Sequence, residues 1–278
     1  MRKLTDRQVK KLLLKQNNCN PPAKVLLFDI ETLPIVSYHW GMFKQYINHN
    51  QIINDWIMLS WSAKWLFDYN IYSDILTPRE AIKRHDKRIS KSLWKLLDEA
   101  DVVVAHNLKK FDKKRSQTRF KINGLNPPSP YQLIDTLEQS RKEFSFSSNR
   151  LDYLGKIMVN HQKLDTDFEL WRKCDNGDKS ALKLMDEYCC NDVVLLEEVY
   201  LELRAWIKSH PNLNVYGEGY CERCPSCSSE DIKYKGYYGT PSGRYASFQC
   251  YSCGTYGRSR YSDLSKEEKS QLTTSIAR

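Results

Sequence analysis

Three short, widely separated segments place acidic residues in settings that suit metal binding. They are Phe28-Asp29-Ile30-Glu31-Thr32, His106-Asn107-Leu108-Lys109-Lys110-Phe111-Asp112 and Tyr188-Cys189-Cys190-Asn191-Asp192. Gathered in one place, Asp29, Glu31, Asp112 and Asp192 would repel one another and their pKa values would rise. Two divalent cations remove that repulsion, and such a pair is a recurring device for cutting phosphodiester bonds. Singly, each segment has a commoner use. An Asp-x-Glu after a strand is usually a solvated turn, His-Asn before a helix is often a cap, and Tyr and Asp four apart commonly mark a core edge. It is the conjunction of the three that points to nuclease chemistry.

A second donor set consists of sulfur. Cys224-Pro225-Ser226-Cys227 and Cys250-Tyr251-Ser252-Cys253-Gly254 form two Cys-x-x-Cys pairs with 22 residues between them. Four thiolates at this spacing suit tetrahedral zinc, and Gly254 fits the turn that brings backbone amides to the second pair. Cys221-Glu222-Arg223-Cys224 is also a Cys-x-x-Cys, so a register shifted by three stays open; the proline after Cys224 favours the first choice. The arrangement resembles a zinc ribbon, a module too small for a large core and folded largely by its metal. Lys233, Lys235, Arg244, Arg258 and Arg260 alternate there with Tyr234, Tyr237, Tyr238, Tyr245, Tyr256 and Tyr261. That mixture suits phosphates and bases, although a structural appendage or a docking site for a protein partner would use it too. Cys19, Cys174, Cys189 and Cys190 show no framework spacing and read as small buried thiols.

The elements that must position the carboxylates are legible. Residues 24–28 read as a buried strand flanked by prolines. Asp29 and Glu31 sit at its end, two positions apart and so on one side. Residues 101–105 read as a second buried strand, from which His106-Asn107 turns into a basic, helical stretch carrying Asp112. Residues 184–207 have helical periodicity, which stacks Tyr188 and Asp192 on one face. Strands are also expected at 57–65, 70–76 and 245–249, with a helix from Pro78 to Leu97. Asp175-Asn176-Gly177-Asp178 is a turn too short for a calcium loop, and Pro211 ends the last long helix.

In order and wording, the three acidic segments resemble the exonuclease motifs of the DEDD superfamily, the ribonuclease H-like 3′–5′ exonucleases. The third matches the tyrosine subtype, with Tyr188 four before Asp192, and not the histidine subtype, since Glu187 stands five before it. Leu133-Ile134-Asp135-Thr136 and Leu151-Asp152-Tyr153-Leu154 resemble the strand and helix start that follow the second motif. The resemblance covers about residues 21–210 and is closer to virus-encoded or stand-alone exonucleases than to a polymerase's domain. It implies an α/β fold, a ribonuclease H-like mixed sheet flanked by helices. It further implies that Asp29 bridges two metals, that Glu31 and Asp192 complete one, and that Asp112 reaches the other. Tyr188 would orient the attacking water. Oxygen-only ligands favour Mg²⁺ or Mn²⁺ at that site, with one structural Zn²⁺ on the four cysteines. Asn107, Lys109, Lys110 and Lys113 are the expected substrate contacts, and His106 reads as structural.

The 278 residues carry a formal net charge of +9, as a polyanion-binding protein would. Basic residues concentrate in residues 1–20 and around the second motif. The expected organisation is a basic N-terminal arm at 1–20, a ribonuclease H-like domain at 21–212 and a zinc ribbon at 213–278. No apolar run approaches a membrane span, and no signal peptide is seen, so an intracellular, cytoplasmic protein (in a host's cytoplasm if virus-encoded) is expected. The expected partner is DNA or RNA with a single-stranded 3′ end. Two other functions fit the same residues: a structure-selective endonuclease, and a non-catalytic nucleic-acid-binding adaptor, which would have no need of an intact carboxylate set.

Overall fold

The computed structural model describes residues 1–16, 19–161, 163–218 and 222–273. Cys221, the alternative sulfur ligand, lies outside the described residues. The chain divides into two units, one of Met1–Val9 with Lys24–Glu202 and one of Lys10–Ala23 with Leu203–Arg278. Residues 1–20 therefore contribute to both. β1 (Arg2–Lys3) joins the sheet of the first unit, whereas most of α1 (Asp6–Gln16) belongs to the second.

In the first unit a six-stranded mixed sheet is flanked by helices, as the resemblance implies. Its strands are β1, β2 (Val25–Thr32), β5 (Met58–Trp65), β6 (Asn70–Ile75), β7 (Val102–Ala105) and β8 (Gln132–Asp135). They run in the order β1-β6-β5-β2-β7-β8, and β3 (Val36–Ser37) pairs apart with β4 (Ile52–Asn54). β2 is central, antiparallel to β5 and parallel to β7. Both its faces are covered, so it reads as the continuous apolar run Val25 to Phe28. β2 extends through Asp29 and Glu31 rather than ending before them.

The helix expected from Pro78 to Leu97 is two helices, α2 (Pro78–Ile82) and α3 (Lys87–Glu99). Arg84 breaks it with a left-handed backbone, φ 48°. The break turns Asp86 inward, where it accepts from the Met58 amide at 2.9 Å and from Arg119 Nε and Nη2 at 2.6 and 2.8 Å. Helical periodicity continues across the break because both pieces bury the same side; the long-range partners of Asp86 decide against continuity.

The remaining helices of the unit are α4 (Asp112–Ile122), α5 (Thr136–Glu143), α6 (Leu151–Leu154), α7 (Phe168–Asp175) and α8 (Lys179–Leu203). α8 is fastened to β5 at two points. Ser62 Oγ donates to the Cys189 carbonyl at 2.5 Å, and the fully buried Lys64 pairs with Glu197 at 2.8 Å. Ser60 and Ser62 lie opposite Glu31 and Asp29 in the antiparallel register, so small side chains accompany the carboxylates on their face of the sheet.

The second unit contains β9 (Ile232–Thr240), β10 (Gly243–Cys250), β11 (Tyr256–Arg258) and α9 (Lys266–Ser270). The strands form one antiparallel sheet in the order β11-β10-β9. No helix of the described residues is long and apolar enough to cross a membrane.

Candidate active site

Carboxylate oxygens of Asp29, Glu31 and Asp192 lie within 4.8 Å of one another. The first two share one side of β2 because strand side chains alternate. Asp192 comes from α8, whose register is held by the Ser62 and Lys64 contacts. Tyr188, one turn earlier, is buried with its ring edge-on to Trp171 at 6.0 Å between centroids. Asp112 opens α4, where a carboxylate is favoured by the helix N-terminus. Both its oxygens are buried without a hydrogen bond of ordinary geometry, although the amides of Asp112 and Ile30 lie nearby. Asp112 stands outside the 4.8 Å cluster, and its charge couples to Asp29.

The electrostatics follow from this crowding. Burial first, then the charge of Asp192, pushes the Asp29 carboxyl up to about 7. Burial raises Asp192 to about 6 against the opposing pull of Lys163. Glu31 and Asp112 rise well above the usual range, chiefly through burial and then through Asp29. Tyr188 rises to about 12, through burial and then Asp192, so it remains a phenol at neutral pH. Mutual repulsion among carboxylates, together with the partnerless oxygens of Asp112 and Asp192 Oδ1, is what a cation would relieve. The acidic cluster could bind a metal, and its oxygen-only donors fit Mg²⁺ or Mn²⁺.

Lys163 gave no signal in the sequence. Its Nζ lies 2.5 Å from Asp192 Oδ2 and 4.5 Å from the centre of the Tyr188 ring. Burial alone would lower its pKa, but Asp192 outweighs burial and the net shift is upward. The lysine follows a π-helical turn, Gly155–Val159, that ends on left-handed Asn160. It belongs to no periodic element, which is why spacing could not reveal it. A cleft of about 430 Å³ opens beside Asp29, Asp192 and Lys163, with Asn107, Arg141 and Arg150 also in its lining.

Asp135 braces the second motif. It accepts from the amides of Asn107 and Lys109 at 3.1 and 3.0 Å and caps α5 through Leu137 and Glu138. Asn107 is left-handed, φ 75°, a conformation asparagine tolerates. His106 is held by Thr136 Oγ1 and the Asn149 carbonyl, both at 2.9 Å. The carbonyl requires a donor, so Nε2 carries the proton, and burial drops the ring's pKa to about 4. Of the expected substrate contacts, Asn107 lines the cleft. Lys109 pairs with Glu138 at 2.5 Å, Lys110 is exposed and Lys113 half-buried; the described cleft lining includes none of the three lysines.

In the second unit, Sγ atoms of Cys224, Cys227, Cys250 and Cys253 all lie within 4.8 Å of one another. The pairs Cys224–Cys253 and Cys227–Cys250 are 3.6 Å apart, close to the ~3.8 Å edge of a tetrahedron with ~2.3 Å Zn–S bonds. Ser228 (φ 63°) and Gly254 (φ 80°) turn the chain after each pair. The donors and their spacing fit zinc, which the four cysteines could bind. The Cys253 thiol is lowered mainly by hydrogen bonds from Cys224, Cys227 and Cys250 and, last, by the charge of buried Arg204, which donates to Cys19 Sγ at 3.8 Å. A buried cation suits a site that would carry excess negative charge.

No protein-family model matches the chain, and no curated protein sequence matches it. Among solved structures similar to it is the family B DNA polymerase from the hyperthermophilic archaeon Pyrobaculum calidifontis, with a TM-score of 0.49 and 16% identity. The match covers 66% of this chain and 26% of the polymerase.

Proposed function

We propose that the protein is a metal-dependent 3′–5′ exonuclease that hydrolyses phosphodiester bonds of DNA or RNA. The observation that supports this most is the convergence of Asp29, Glu31 and Asp192 from a strand and a helix, with buried Asp112 coupled to Asp29. The 3′–5′ direction is what the resemblance of the three motifs to the DEDD exonucleases implies. When bound, a pair of divalent cations would activate the attacking water and steady the leaving oxygen. Asp29, Glu31, Asp112 and Asp192 would hold those cations. Tyr188, kept protonated by its raised pKa, would orient the water by a hydrogen bond and would not deprotonate it. Asn107, Arg141 and Arg150 would hold the terminal nucleotide's phosphates in the cleft. Attack at phosphorus breaks the bond to the 3′ oxygen and releases a nucleoside 5′-monophosphate.

The test is a 5′-labelled single strand of DNA or RNA incubated with Mg²⁺ or Mn²⁺, with Asp29→Ala alongside. A ladder that shortens from the 3′ end and is absent in the variant is expected. Wild-type rates in a folded Asp29→Ala protein would remove Asp29 from the site and this mechanism with it. Cleavage of a circular strand would instead favour the endonuclease reading.

A further inference from the structure

We infer that one face of the β9-β10-β11 sheet is a binding platform for single-stranded polynucleotide, tolerant of sequence. Directly opposed residues of an antiparallel pair share a face. Tyr238 opposes Tyr245, Ser247 opposes Arg258, and Gln249 opposes both Lys233 and Tyr256. These positions therefore line one side. The other side carries buried Phe248, edge-on to Tyr234 at 5.8 Å, and beyond it Tyr237, with Arg244 4.7 Å from its ring centre. A Cβ on Gly257 would come within 2.2 Å of that Phe248 ring, so β11 lies tight against it. The register slips between Ala246 and Phe248, where β9 spends an extra residue at left-handed Gly236, φ 67°. This bulge puts Tyr238 on the same side as Lys233 and Lys235, where the Lys235 Nζ donates to Gln249 Oε1 at 3.1 Å.

The open face has two chemical properties. It offers aromatic rings: Tyr238, Tyr251 and Tyr256 are 54%, 45% and 64% exposed. It also holds cations against them. Arg258 lies 3.9 Å from the Tyr245 ring centre and 5.8 Å from that of Tyr238, and Lys233 and Lys235 lie 4.8 and 4.9 Å from that of Tyr251. From Ile232 to Ser262 the sequence contains five basic residues and no carboxylate. The occupant must therefore be anionic and carry flat faces that can stack. An unpaired polynucleotide has both, whereas a duplex hides its base faces and an acidic peptide lacks them. Tyrosines stack on any base, and Gln249 is the one amide among the named positions, so little is available to read sequence. This inference is independent of the nuclease proposal.

The test is fluorescence anisotropy of the full-length, zinc-loaded chain with labelled oligo(dT), oligo(rU), a mixed-sequence strand and a duplex, without Mg²⁺ or Mn²⁺ so that cleavage does not enter. Single strands should bind alike and more tightly than the duplex. Tyr238→Ala with Tyr256→Ala should weaken single-strand binding at least tenfold, as expected for losing two stacking platforms. The corresponding phenylalanine variants should retain it. Arg258→Gln should reduce the salt slope by about 0.7 if it meets one phosphate. Equal binding of duplex, alanine variants within about twofold of wild type, or phenylalanine variants as weak as alanine would each overturn the platform. Far-ultraviolet circular dichroism and zinc content verify that each variant is folded.

Discussion

Asp29→Asn should make the metal-free protein more stable while abolishing hydrolysis, and the gain should grow with pH. The Asp29 carboxyl titrates at about 7 in the folded chain against an ordinary 3.8. A raised folded value means that the native state holds the proton more tightly. Stability from this group is therefore full below pH 3.8 and is lost as pH rises through about 7. A shift of about 3 units at ~1.4 kcal/mol each sets the full cost of the bare carboxylate at about 4 kcal/mol. Of this, roughly 1–2 kcal/mol is already present at about pH 5 and nearly all by about pH 8. Asparagine does not ionise, and it also relieves Glu31 and Asp112, which feel the Asp29 charge. Urea denaturation, in buffer freed of Mg²⁺ and Mn²⁺ but with zinc retained, should show the variant's advantage rising by about 2–3 kcal/mol between those two pH values. Adding Mn²⁺ should stabilise the wild type and not the variant. A variant no more stable than wild type at the higher pH, or a difference that ignores pH, would refute the electrostatic account of the site.

Lys163 competes with any cation for Asp192, so Lys163→Met should tighten Mn²⁺ binding at about pH 8 by roughly tenfold, or ~1.4 kcal/mol, in calorimetric titration; weaker binding would show that the lysine assists the metal. Asp86→Ala strands Arg119 in the interior and should cost about 3–5 kcal/mol in urea denaturation, whereas a loss under ~1 kcal/mol would mean that water reaches the guanidinium. Cys227→Ser should drop bound zinc from about one per chain to a small fraction and expose residues 203–273 to protease, because the metal supplies much of a small module's stability; full zinc content would remove Cys227 from the ligand set.

The parts of this molecule that could be read in the sequence are those whose signal is local. Val25 to Phe28 announces a buried strand because both faces of β2 are covered. Tyr188 and Asp192 announce a shared helix face because one α-helical turn separates them. Cysteine pairs announce their own geometry. What could not be read depends on partners far away in sequence. Arg84 interrupts a periodic helix for the sake of Asp86, whose carboxylate is committed to Met58 and Arg119. Lys64 looks like the solvent-facing member of an alternating strand, yet it is fully buried because Glu197, over a hundred residues later, neutralises it. Lys163 reaches Asp192 from a segment without periodicity. On β9, the bulge at Gly236 determines that Tyr238 joins the face of Lys233 and Lys235, and a glycine between lysine and tyrosine did not disclose it.

The two donor sets differ in how much of their geometry is made without a metal. Asp29 and Glu31 are fixed by β2, and Asp192 by α8, through ladder and helix hydrogen bonds, Ser62 and Lys64. The oxygen site is thus positioned by a large core and pays only a repulsive cost when bare. The sulfur site rests on two short turns beside a three-stranded sheet whose buried side is little more than Phe248 and Cys250, and such a module would need a bound metal to fold. Oxygen donors bind Mg²⁺ or Mn²⁺ weakly compared with the grip of four thiolates on zinc. A mild chelator should therefore stop hydrolysis while leaving the fold and the polynucleotide platform intact, and a stronger one should unfold the second unit. If both properties were lost together at the mild step, the two sites would share a metal requirement that their donor chemistry does not explain.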